Sequence, residues 1–365
     1  MTNRIDFDLQ RPLPPIAVRS EDWNFDEKCN FSSQLYNSIY YSITMSLVRE
    51  LGHARTYEIH AALLRHHQEH FFLEGLRKLG LHREHTDAAR CAKYHCMSNA
   101  VGGVRTGYLV ENDRKAWLFY FPHTPDNAWP GQASVAHSRG NMLSDYQGWH
   151  SNNGKLLGNS GLRYVATHFV CDGDPFDGGY FEDTGVELTA DDLLIERLGE
   201  EPPADLEIQK THLDEEEWPA ERKAKALRNY AVTWVADRIW SVLDSCGEMG
   251  DDIAQKAIQA SLFAWMPRFR AAVGDATTDR PAKDLAAYIA LFHEVAGIDS
   301  TILEGERGYS LLLNRALQSF VGGDVSQLDQ TRFSQLLGRA WNAVGIRMGC
   351  NVICDEDGKH WLIQS

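Results

Sequence analysis

The chain carries one ordered set of landmarks twice, and this pairing constrains its fold more than any single motif. Ala88-Ala89-Arg90-Cys91-Ala92-Lys93-Tyr94-His95 is answered by Ala286-Ala287-Tyr288-Ile289-Ala290-Leu291-Phe292-His293, and Cys171-Asp172-Gly173-Asp174 by Cys354-Asp355-Glu356-Asp357. In each half a helical stretch, an aromatic-His element, a charged turn, a strand-like apolar run, a Trp and a Cys-Asp-x-Asp element follow in the same order. The expectation is an α+β fold made by tandem duplication of one unit, a helical hairpin plus a small antiparallel sheet with helices. At 365 residues there is room for both copies, since single cores usually serve roughly 100–200 residues.

Periodicity and breakers set the boundaries. Residues 1–28, with Pro12, Pro14 and Pro15, read as an N-terminal arm. The first copy is expected over 29–186. It opens on a helix with Leu35, Ile39, Ile43 and Leu47 at helical spacing, broken at Gly52, and continues in a second helix from about Thr56 to Lys78. Strands are expected between Val104 and Phe121 and from Leu162 to Val170, with an irregular His-bearing loop from Pro122 to Asn141 and a short helix at Met142 to His150. The acidic stretch 187–221, containing Asp214-Glu215-Glu216-Glu217 and three prolines, reads as a linker. A second, degenerate copy follows over 222–365, its helices separated at Gly247 and Gly250.

Charge narrows the partners. A net charge of -15 argues against a phosphate-backbone binder, so no nucleic acid is expected, although one local basic pocket is compatible with it. No apolar run is long enough to cross a bilayer and no signal-peptide core opens the chain, so no membrane partner is expected and the location reads as cytoplasmic. Seven cysteines, an odd number spread over the chain, fit a reducing compartment better than a disulfide framework.

Two constellations could carry chemistry. Tyr94-His95-Cys96-Met97-Ser98-Asn99 gathers an imidazole, a thiol, a hydroxyl and an amide just before Gly102-Gly103. His95 is a candidate catalytic residue and Ser98 and Asn99 candidate substrate binders; the competing reading is that His95 pins local backbone. His168-Phe169-Val170-Cys171-Asp172-Gly173-Asp174 is the second. On a flat strand His168 and Cys171 face opposite sides, so their cooperation needs a bend at the strand end. His168, Cys171 and Asp174 are the other catalytic candidates, set against a turn role for Asp174 and simple burial for Cys171. His123, His137, Trp149 and His150, in or beside the long loop, complete the candidate substrate-binding set.

His66-His67-Gln68-Glu69-His70 spells an inverted zinc-protease signature, with a solvated His-rich helix face as the competing reading. No cofactor is demanded, while the histidines and Asp172 or Asp174 leave room for a divalent metal. Phosphate-binding glycine loops and a nucleophile elbow are absent from the sequence.

Across the helical hairpin, the Tyr94-His95 to Asn99 element and the Cys171-Asp172-Gly173-Asp174-Pro175 turn, the chain resembles the L-2-amino-thiazoline-4-carboxylic acid hydrolase-like family, over about 31–185 and more faintly 225–365. The turn is also similar to the Gly-Asp-Pro-x-Cys element of 4-vinyl-reductase-type small-molecule-binding domains, although this chain has Pro175-Phe176-Asp177 where that element has its second Cys. The resemblance implies an α+β domain that hydrolyses a C–N bond in a small nitrogen- or sulfur-containing compound. Two alternatives accompany it: a non-catalytic small-molecule-binding or sensor protein, and a metal-dependent lyase or hydrolase using the His-rich first copy. A small-molecule substrate is the expected partner, with a homo-oligomer left open. His168 aligns with Asn351, and Ser98-Asn99 with the apolar Val295-Ala296. The site is therefore expected within about 90–185, supported or closed by the second copy.

Overall fold

The computed structural model describes residues 20–121, 138–210, 213, 215–273, 281–306 and 308–365. Most of the expected N-terminal arm, together with His123 and His137, lies outside the described residues.

α1 (Phe25–Lys78) begins with a capping box, in which Asn24 Oδ1 accepts from Glu27 N and the Glu27 carboxylate accepts from Asn24 N. It is broken where expected, at Gly52, whose φ of 75° and ψ of 171° belong to a region open almost only to glycine. The break reverses the chain, since Tyr40 Oη reaches His60 Nδ1 at 3.4 Å, whereas twenty residues of straight helix would span roughly 30 Å. α5 (Ala220–Val273) repeats the device at Gly247, and a Cβ on Gly250 would lie only 2.3 Å from Val242 O. The arms of the two hairpins pack antiparallel: Ser42, Ser38 and Gln34 meet Ser261, Trp265 and Arg268 in turn. One continuous apolar core runs through this four-arm bundle and both sheets.

Each hairpin leads into a 15-residue helix, α2 (Asp87–Val101) or α6 (Pro281–Val295). After α2 come β1 (Thr106–Asn112), β2 (Lys115–Tyr120), α3 (Arg139–Gly148), α4 (Asn153–Leu157), β3 (Leu162–His168) and β4 (Asp177–Asp183). After α6 come β7 (Ser300–Gly305), β8 (Gly308–Leu313), α7 (Gln327–Arg347), β9 (Asn351–Cys354) and β10 (His360–Gln364). The order β1-β2-β4-β3 in one sheet matches β7-β8-β10-β9 in the other.

The stretch read as a linker differs from expectation. It supplies both edges of the first sheet, β5 (Leu194–Glu196) parallel to β3 and β6 (Gln209–Lys210) antiparallel to β1. That sheet is therefore mixed rather than purely antiparallel, because a returning chain can pair either way along an open edge. Alternation along its strands makes two faces. Ala116, Leu118, Tyr164 and Phe181 point into the main core, while Trp117, Phe119, Val165 and Tyr180 form a second cluster outside. No helix is long and apolar enough to cross a membrane among the described residues.

Candidate functional site

Between the hairpins, α2, β2 and α3 lies a cavity of about 680 Å³, within the range of roughly 300–1,000 Å³ typical of small-molecule sites. Its wall is rich in aromatic side chains, including Tyr40, Tyr120, Tyr146, Trp149, Tyr230 and Trp234. His60, His67, His95, His150, Asp145, Asp177 and Arg238 are among the titratable groups that line it.

His67 projects from the second arm of α1. Its Nδ1 lies 2.5 Å from Oδ2 of Asp237, whose other oxygen accepts the Gly322 amide at 3.0 Å. Asp237 has no solvent exposure, so a carboxylate that can only accept keeps the proton on Nδ1 and leaves the Nε2 lone pair open. Nε2 has no hydrogen-bond partner among the described residues and is not sealed from the cavity. The ring is stacked 4.1 Å from Trp234, which fixes its plane.

A second chain of contacts runs through His60. The Arg238 guanidinium donates to His60 Nδ1 and, at 2.7 Å, to Tyr40 Oη, while His60 Nε2 meets Asp145 Oδ1. Because arginine only donates, Nδ1 accepts and the proton sits on Nε2, facing Asp145. Burial pushes the His60 pKa down, with Asp145 opposing and Arg238 reinforcing. Both ring nitrogens are occupied, so this imidazole is a brace for the wall.

The sequence candidates divide. His95, Ser98, Asn99, Trp149, His150 and Cys171 border the cavity. His95 is stacked 4.1 Å from His150, and burial, then the neighbouring His150, holds its pKa well below the usual range. Asn153 Oδ1 accepts from Gln68, so its amide nitrogen faces His95 Nε2 at 2.8 Å and the His95 proton stays on Nδ1. His150 is neutral for the same reason, its pKa pushed down to about 4 by burial, and its Nε2 sits 2.9 Å from Tyr120 Oη. Asn99 donates to His95 O at 2.8 Å and accepts from Tyr230 Oη at 3.0 Å, tying α2 to α5.

Cys171 stands at the rim, its thiol pushed up by burial and by Asp172 and Asp177, which disfavours the thiolate a nucleophile needs. His168 and Asp174 do not border the cavity. A bulge between Ala166 and His168 shifts the β3 register, and bulges re-aim side chains. His168 thus packs 4.4 Å from Phe176 of the outer cluster and bonds to Thr167. Asp174 Oδ2 accepts Phe169 N at 2.8 Å, which is turn geometry. The inverted zinc signature does not assemble: His66 Nε2 is spent on Gly322 O, and Glu69 and His70 are exposed. Among the described residues no group of three or more His, Cys, Asp or Glu side chains is placed to hold a metal.

The strongest chemistry thus lies partly outside the expected window. His60 and His67 sit seven residues apart on one helix face, two turns that a stripe reading could pair. Asp237-Arg238 interrupts the apolar positions Val232, Val235, Ile239 and Leu243 of α5. Adjacent charges on a buried stripe were the readable signal. Comparison with known proteins found no matching family model, no matching curated protein and no matching solved structure.

Proposed function

We propose that the cavity is the active site of a small-molecule enzyme in which His67 is the general base and Asp237 its positioning residue. The observation that carries this is an imidazole with its inner nitrogen fixed on a wholly buried carboxylate and its outer nitrogen open to an aromatic cavity. Such an imidazole takes a proton from water or substrate while the carboxylate stabilises the resulting cation.

Hydrolysis of a C–N bond in a compact nitrogen- or sulfur-containing compound is the reaction we assign, in keeping with the resemblance to the L-2-amino-thiazoline-4-carboxylic acid hydrolase-like family. Water gives a proton to His67 Nε2 as its oxygen bonds to the substrate carbon. The C–N bond then breaks, and its nitrogen takes the proton back from His67. His95, its proton on Nδ1, supplies a neutral donor to the developing charge. We place the reaction in the cytoplasm, which the seven unpaired cysteines support, and read the two halves as tandem copies on the strength of their shared strand order. The second half then builds the wall, through Tyr230, Trp234 and Arg238.

A second reading, a non-catalytic binding protein, is favoured by the many aromatic rings in the wall. Incubating the purified protein with a cytosolic metabolite extract separates the two. Depletion of a compound with appearance of its hydrolysis products supports the enzyme; recovery of a compound unchanged from the protein supports the binder and overturns the catalytic assignment.

A further inference from the structure

Asp145 is the charge that the cavity leaves unanswered. Its Oδ1 meets His60, whereas Oδ2 has no hydrogen-bond partner among the described residues, and its side chain keeps 28% exposure in the cavity wall. The positive charges there are spent or shut away. Glu74 and Lys78 pair with each other at 2.8 Å at the mouth. Arg238 directs Nη2 into the wall, at Tyr40 and His60, and its Nε and Nη1 are sealed from the cavity. A ligand therefore meets the carboxylate of Asp145 directly and the guanidinium only through the wall.

The surroundings of that carboxylate are aromatic. The phenols of Tyr120, Tyr146 and Tyr230 are all held up by burial first, with the Asp145 carboxylate among the further causes in each, whereas the Tyr40 ring already carries the Arg238 guanidinium 4.6 Å from its centroid. Asp145 also carries the backbone carbonyl that accepts Trp149 N at 3.0 Å. Rings present a negative face to a cation, and a carboxylate beside them adds a full charge of the same sign. Asp177, in the same wall, is a second carboxylate and adds no opposing charge.

We infer that the cavity takes a ligand bearing a protonated or quaternary nitrogen, seated between Asp145 Oδ2 and the surrounding aromatic rings. This deepens the proposed function by naming the charge of the substrate, and it rests on the same cavity. The group recognised is an ammonium or amidinium; the carbon skeleton fills the remaining apolar space. Where the group is an amidinium, its own carbon is the electrophile: water served by His67 adds there, the nitrogens become neutral, and one of them takes the proton back from His67 as its C–N bond breaks.

Binding of three probes by calorimetry to the full chain tests this: phenyltrimethylammonium, its neutral carbon isostere tert-butylbenzene, and benzenesulfonate. The expected result is a preference for the cation over the isostere of about tenfold or more, with benzenesulfonate weakest. Asp145→Asn should lose about tenfold in cation affinity and leave the isostere unchanged. An isostere that binds the wild type as well as the cation, a sulfonate that binds best, or a folded Asp145→Asn protein with its cation preference intact overturns the inference. If that variant does not fold, the wild-type ratio decides alone. His67→Gln should keep the cation preference, so loss of turnover and loss of cation recognition fail separately.

Discussion

The Nδ1 of His67 lies 2.5 Å from Oδ2 of Asp237, and that carboxylate is closed to solvent on every side. The pair joins the two halves of the chain, since His67 belongs to the first helical hairpin and Asp237 to the second. Gly322, which follows β8, supplies the remaining donor through its amide.

Asp237→Asn separates geometry from charge. The amide oxygen keeps the Gly322 contact and the amide nitrogen turns to His67 Nδ1, which must then accept. The proton moves to Nε2, and the base is lost from the cavity. We expect turnover to fall by roughly 10²–10⁴ with the fold retained, read as kcat/KM together with the nitrogen NMR shifts that report the His67 tautomer.

Asp177 titrates where function is measured. Burial, only partly offset by the Val170 amide, raises its pKa from 3.8 to about 6. The folded state therefore holds this proton in a window where the unfolded chain has released it, so its contribution to stability falls as pH rises from about 4 to about 6. A shift of this size corresponds to about 3 kcal/mol. Asp177→Asn should flatten that slope and stabilise the protein above pH 6, by urea titration at a series of pH values. An unchanged slope would contradict the assignment.

Gly52 is required by its backbone rather than by its neighbours, since a Cβ at that position would meet nothing within 4 Å. Gly52→Ala should cost about 1–3 kcal/mol through φ/ψ strain alone, seen as a lowered thermal midpoint. Gly158→Ala, at φ 74° and ψ 21° in the ordinary left-handed region, should cost less, about 1 kcal/mol.

The hairpin, its glycine break and the α+β class were legible because each depends on local periodicity and on one residue type. Leu35, Ile39, Ile43 and Leu47 are all buried on the arm that ends at Gly52. His95, Asn99 and His150 were legible as neighbours of a cavity because polar residues cluster there in sequence. The Asp237 partnership was not, since its two residues lie 170 positions apart and long-range pairing leaves no local spacing to read. The placement of His168 away from the cavity has a local reason: the bulge before it inverts the face that simple alternation assigns. The acidic stretch misled because its composition suits a solvated linker, yet edge strands are short and tolerate charge.

The most direct measurement is the steady-state rate of C–N hydrolysis for wild type, His67→Gln and Cys171→Ala, each confirmed folded, on the compound depleted from the metabolite extract. With His67 as the base, His67→Gln loses roughly 10²–10⁴ in kcat/KM while Cys171→Ala keeps the wild-type value. Full activity in His67→Gln, or its loss in Cys171→Ala, would contradict that role.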